Sequence, residues 1–220
     1  MNSRELQIAF ERKIMLMDPT LRDAEKLTSD TIFAFLNAAQ DRYYEQLYQQ
    51  FDQIESVGRI QFRNSDLLKG FISTTQLENK TELNEFQDEF KLPEDYEYYV
   101  KSNSLVTGTY MNNKTTSLSG NKDIKYDQLN TVTPQYFYKK IIRTPYAALN
   151  TKNDVIMIIH DEYTDIEGVS LTYYRKPKAI SLNQECEFPD IAHQTIVDLA
   201  VEIFVTESKY RLNMKQSWKT

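Results

Sequence analysis

The stretch that decides the fold runs from LTYYRKPKAISL (171–182) through ECEF (185–188) into PDIAHQTIVDLAVEIFVTESKYRLNMK (189–215). Its first half reads as a strand that must stop at Pro177, because proline brings no N–H to a sheet ladder. Its second half reads as a helix. Pro189 suits the first helical position, and Asp190 lies in the first turn, where the helix dipole favours negative charge. Between Ile196 and Val205 only Asp198 and Glu202 are charged, so apolar residues occupy most of the circumference. A helix of that kind is buried on more than one side. The expectation is a closing helix held between its own fold and a second surface, such as a neighbouring subunit.

Upstream, helical spacing comes first. Ser3 can cap a helix in which Leu6, Phe10, Ile14 and Met17 recur before Pro19 ends it. A second helix begins at Thr28 or Ser29 and continues to about Ser56, with Ile32, Leu36, Ala39, Tyr43, Leu47, Phe51 and Ile54 as its stripe. At 1.5 Å per residue it spans roughly 40 Å, too long for a small domain to cover along its whole length. Phe33, Phe35, Tyr44 and Tyr48 lie off the stripe and need partners elsewhere. Ser65 to Ile72 reads as a shorter helix, and Thr81 to Phe90 as a further turn or two.

From Tyr96 the period changes to two, through Tyr98, Val100 and then Leu105 to Met111. Asn112 to Asp123 has little to bury and reads as a mobile loop or hairpin tip. Val155–Ile159 and Val169–Tyr174 read as strands, with Gly168 between them as a hairpin turn. The predicted class is α+β. A helical bundle of the N-terminal helices and the C-terminal helix (1–95 and 185–220) carries an inserted antiparallel β-rich segment (96–184).

Composition narrows the function. No apolar run approaches the ~18 residues of a membrane span, and the polar opening MNSRELQIAFERK does not read as a signal peptide. Cys186 is the single cysteine, which excludes an internal disulfide and a cysteine-rich zinc site and fits synthesis in a reducing cytoplasm. A net charge of −6 argues against tight grip on a nucleic acid backbone, though not against DNA sliding past. Fifteen Tyr and eleven Phe against five Gly lean toward an interaction protein.

The candidate chemistry is thin. His160-Asp161-Glu162 offers acid–base groups, but neighbouring strand side chains point to opposite faces. Cys186 and His193 could form a thiolate–imidazole pair, with no clear third member. Gly58, Gly70, Gly108, Gly120 and Gly168 are too scattered for a phosphate loop. No catalytic, cofactor or metal site is therefore expected. In the tail, Lys209, Arg211, Lys215 and Lys219 follow the last acidic residue, with Tyr210, Leu212, Met214 and Trp218 among them. This is either a helix end whose cations suit the negative dipole terminus, or a docking peptide anchored by Trp218. The candidate assembly residues are Tyr210, Arg211, Met214 and Trp218.

LPEDYEYYVKS (92–102), DEYTDIEGVSLTYYRKPKAISL (161–182) and CEFPDIAHQTIVDLAV (186–201) together resemble the ring proteins of crAss-like bacteriophages, components of the head-to-tail connector. The resemblance is best from about 92 to 205; over the first 90 residues only the helical layout agrees. It implies a virion structural protein made in the bacterial host cytoplasm, with about twelve copies in a ring under the portal. Further ring or tail proteins would lie below, and DNA would pass through the lumen without specific binding. Tyr173, Arg175, Pro177, Cys186, Pro189, His193 and Asp198 match and are assigned to fold and packing. The alternatives are a monomeric peptide- or glycan-binding module and a hydrolase using His160 or Cys186/His193.

Overall fold

The computed structural model describes residues 1–17, 27–56, 66–110, 113–128, 144–161 and 164–217; of 51–56, 109–110, 113–114 and 211–217 only the backbone is described. The chain divides into two compact units, Met1–Phe71 with Pro177–Thr220, and Ile72–Lys176.

In the first unit, α1 spans Ser3–Met17 and buries Ser3, Leu6, Phe10 and Ile14. Its cap is Asn2 rather than Ser3. Asn2 Oδ1 accepts the Glu5 N–H at 2.9 Å, and Glu5 Oε2 accepts the Asn2 N–H at 2.9 Å, a reciprocal capping box. Ser3 instead donates its hydroxyl to the Gln184 carbonyl at 3.0 Å. Met17, expected inside, is 63% exposed. α2 spans Ser29–Ser56, with Thr28 Oγ1 accepting the Thr31 N–H at 3.3 Å. Ile32, Leu36, Ala39 and Leu47 are buried as the stripe requires, while Phe51 and Ile54 lie outside the described side chains. A helical turn at 66–68 passes into a 3-10 turn at Lys69–Phe71, so the expected short helix stops where strand pairing begins. α3 spans Asp190–Ser217 and packs on both α1 and α2. Pro189 immediately precedes it, its carbonyl accepting the Ala192 N–H at 2.8 Å.

This packing corrects one expectation. Ile196, Val197, Ala200, Val201 and Phe204 of α3 are buried, and the chain's own α1 and α2 supply the two flanking surfaces. The off-stripe aromatics of α2 are likewise used at home. Phe35 stands 5.3 Å from Phe204, which stands 5.9 Å from Phe10. Tyr44 meets Phe71 at 5.3 Å, and Phe71 meets Phe188 at 4.7 Å.

The second unit is a pair of packed sheets. One has the order β1-β9-β4-β5 and the other β2-β3-β8-β7-β6. The strands are β1 Ile72–Leu77, β2 Lys80–Asn84, β3 Gln87–Lys91, β4 Tyr96–Tyr110, β5 Asn113–Gly120, β6 Lys122–Ile124, β7 Tyr146–Asn150, β8 Val155–Ile159 and β9 Thr164–Arg175. All pairs are antiparallel except β6 with β7. The core between the sheets is built from both: Leu77, Val106, Ile166, Val169, Leu171 and Tyr173 face Phe90, Ala147, Ile156 and Ile158. Pro177 follows directly on β9 and Lys176, as its missing N–H demands.

The chain is thus α+β, but the β region begins at Ile72, not at residue 96, and ends at Lys176, not at 184. Thr81–Phe90 is not helical; it is the β2–β3 hairpin, with Lys80 opposite Phe90. Nor is 113–123 a loop: β5 pairs with β4 from Asn103↔Gly120 to Tyr110↔Asn113. Asn112 lies outside the described residues. Gly168 makes no turn. It sits inside β9 opposite Leu105, at a register shift where two residues oppose one, and a Cβ there would meet only the Leu77 carbonyl oxygen at 3.6 Å.

Candidate functional site

Of the candidate assembly residues, Tyr210, Arg211 and Met214 lie in the C-terminal part of α3. Tyr210 is 66% exposed. Arg211 and Met214 belong to the helical backbone, with side chains outside the described set, and Trp218 lies outside the described residues. Since α3 continues to Ser217, Tyr210 and Met214 are one helical turn apart on the same stripe.

A polar cluster among the described residues lies elsewhere, where β2, β3, β8 and β9 meet. Its centre is Asp88 on β3, whose side chain is 2% exposed. His160, directly after β8 and also buried, places Nε2 3.1 Å from Asp88 Oδ2, within ion-pair distance when the ring is protonated and not aligned as a hydrogen bond. Its Nδ1 faces the Asp161 carbonyl oxygen at 3.1 Å, and its backbone N–H donates to the Phe86 carbonyl at 3.0 Å. Lys80 Nζ lies 3.3 Å from Asp88 Oδ2, 2.9 Å from Asp165 Oδ1 and 3.5 Å from Glu82 Oε1. Burial opposes the charge on His160 and on Lys80, yet the facing carboxylates outweigh it and raise both groups above their ordinary values. The hydrogen bond from Lys80 lowers Asp165. His160 and Asp161 are thus brought to one corner, with the backbone carbonyl of Asp161, not its carboxylate, meeting the imidazole. Glu162 lies outside the described residues. Lys80, Asp88 and Asp165 were missed by sequence reasoning. The available signal was alternation, since Asp88 shares the buried face of β3 with Phe90.

Cys186 and His193 do not meet in a dyad. The thiol donates to Gln40 Oε1 at 3.5 Å, and burial pushes it above its ordinary value, away from the reactive thiolate. His193 is buried, with Nε2 2.8 Å from the Phe188 carbonyl oxygen and Nδ1 3.2 Å from Asp190 Oδ1. Asp198 pairs with Lys13. Among the described residues no group of three or more His, Cys, Asp or Glu is arranged to hold a metal ion.

A cleft of about 300 Å³ opens in the second unit between Tyr99, Asp123–Tyr126, Ala147, Leu149 and Ile156. The Tyr99 hydroxyl donates to Asp123 and stands 3.0 Å from Ser102 Oγ; burial and the carboxylate hold it protonated well above the usual tyrosine range. Of the resembling positions, Tyr173 is buried and donates to Asp95 Oδ1 at 2.8 Å.

No family model matches the chain, and no curated protein matches it. No helix among the described residues is long and apolar enough to cross a membrane.

Proposed function

We propose that the chain is a structural subunit of a phage head-to-tail connector, forming an oligomeric ring under the portal that continues the genome-ejection channel into the tail. The resemblance of the segments between 92 and 205 supports this reading. The observation that carries it is apolar surface left in water by the fold. Leu16 is 86% exposed and Met17 63% at the end of α1, and Ile8 and Met15 on the same helix are also exposed. In the second unit Leu105 and Leu118 stand directly opposite each other on β4 and β5, both exposed. A head-to-tail interface that closes into a ring buries such patches without needing them to be self-complementary. The net charge of −6 suits a channel wall that lets DNA slide. The exposed Tyr210 at the end of α3 makes the tail the segment assigned to the portal.

Co-expression with a crAss-like portal protein, followed by negative-stain imaging, tests the reading. Rings of about twelve copies on the portal are expected, lost in Leu16→Asp/Met17→Asp. Deletion from Leu212 onward should weaken portal attachment while leaving the fold intact. A monomer that ignores the portal sinks the reading. The cleft lined by Tyr99 and Tyr126 favours a second one, a peptide- or glycan-binding module. In that case a peptide or glycan array gives ligands whose binding Tyr126→Ala abolishes.

A further inference from the structure

A neutral imidazole carries one N–H and one lone pair, so it satisfies one acceptor and one donor. His160 faces two acceptors: the Asp161 carbonyl oxygen lies 3.1 Å from Nδ1 and the Asp88 carboxylate 3.1 Å from Nε2. Whichever tautomer is chosen, a neutral ring turns a lone pair toward an oxygen in a corner where Asp88 is 2% exposed and the His160 side chain 8%. Only the imidazolium sets an N–H against the Asp161 carbonyl and at the same time a positive charge against the Asp88 carboxylate. The surrounding charges allow it. Asp88 comes from β3, Lys80 and Glu82 from β2, Asp165 from β9, and Asp161 is next in the chain. The two cations Lys80 and His160 flank the buried carboxylate of Asp88, Asp161 beside His160 is buried as well, and Asp165 and Glu82 neutralise Lys80 from its more exposed side.

We propose that this corner is a protonation-held clasp, in which His160 is an imidazolium that, with Lys80, fixes the buried Asp88 carboxylate and so holds the β2–β3 hairpin on the start of the β8–β9 connection. The hairpin depends on it locally. β2 is an edge strand with mostly exposed side chains, and the His160 N–H bond to Phe86 caps the turn end of β3. Deprotonation removes the positive charge that faces the buried Asp88 carboxylate and turns a ring lone pair toward one of the two oxygens, an unfavourable contact in a desolvated corner. The sign follows from the raised position of His160. The clasp is fully made below the ordinary histidine value of 6.5, and it is lost as pH rises through the higher value in the folded protein.

The chain has only two histidines, so NMR titration of the imidazole carbons, assigned with His193→Asn, reads His160 directly. The wild type should titrate above 6.5 at His160, with the nitrogen shifts of a doubly protonated ring on the acid side of that midpoint. Asp88→Asn should lower that midpoint by at least one unit, a tenfold loss in proton affinity. Amide exchange at His160, corrected for its intrinsic pH dependence, should accelerate above the midpoint. A midpoint at or below 6.5 in the wild type overturns the clasp whether or not the variant folds, and so does an unchanged midpoint in a folded Asp88→Asn protein.

Discussion

The side-chain amide of Asn37 pairs with both backbone groups of Ile180. Asn37 Nδ2 donates to the Ile180 carbonyl at 3.1 Å, and the Ile180 N–H donates to Asn37 Oδ1 at 2.6 Å. One residue of α2 thereby substitutes for a strand neighbour along the extended segment that leads from Pro177 to α3. Gln40, one turn later, donates to the Lys178 carbonyl at 3.0 Å. With Ile180 itself buried, these bonds set the path by which the chain returns to the helices.

Replacing Asn37 with Ala should strand a buried N–H and a carbonyl at once and cost about 1–3 kcal/mol. Asn37→Asp keeps the acceptor and loses the donor, so its thermal midpoint should fall between those of wild type and Asn37→Ala. Equal melting of all three proteins would show that the pairing contributes nothing.

Phe188 is the hub of the second aromatic cluster, 4.7 Å from Phe71 and 5.4 Å from Tyr43. Phe188→Ala should destabilise the helical unit by roughly 3–5 kcal/mol, and Phe188→Leu by clearly less, because Leu refills part of the cavity. Urea unfolding followed by circular dichroism at helical wavelengths measures both.

The reciprocal cap of Asn2 and Glu5 predicts a loss of about 1 kcal/mol for Asn2→Ala, with faster amide exchange confined to the first turn of α1. Exchange that stays slow there would move the cap elsewhere.

Lys80 and Asp88 should shift His160 in opposite directions. Lys80 lowers the imidazole's proton affinity through charge repulsion, so Lys80→Met should raise the His160 midpoint, whereas Asp88→Asn should drop it. Lys80→Met should also cost stability, roughly 1–3 kcal/mol, because Asp88 keeps only His160 as a partner. A common direction for the two variants would mean that the cluster does not act through charge.

The helices were legible because their burial is repetitive. The steps from Ile32 to Leu47 place α2 at Ser29–Ser56, close to the limits that spacing alone predicts. The β2–β3 hairpin was not legible, since its buried face includes Asp88, a residue that patterning assigns to water. β5 escaped for the opposite reason: an edge strand is held by backbone pairing with β4 and needs no buried side chain of its own. The His160 corner stayed hidden because Lys80, Asp88 and Asp165 come from three strands and His160 from just past a fourth, with no shared spacing.

The sequence by itself determined the three long helices, the stop at Pro177 and the wide apolar face of the closing helix, because local periodicity and proline stereochemistry act within a few residues. Only the tertiary structure decided that α1 and α2 cover that face, and that α1 and the β4–β5 pair carry exposed apolar side chains. It alone brought Asp88 and His160 together. Burial on two sides, and the desolvation that makes a carboxylate demand a charged partner, are properties of packed elements and not of any one segment.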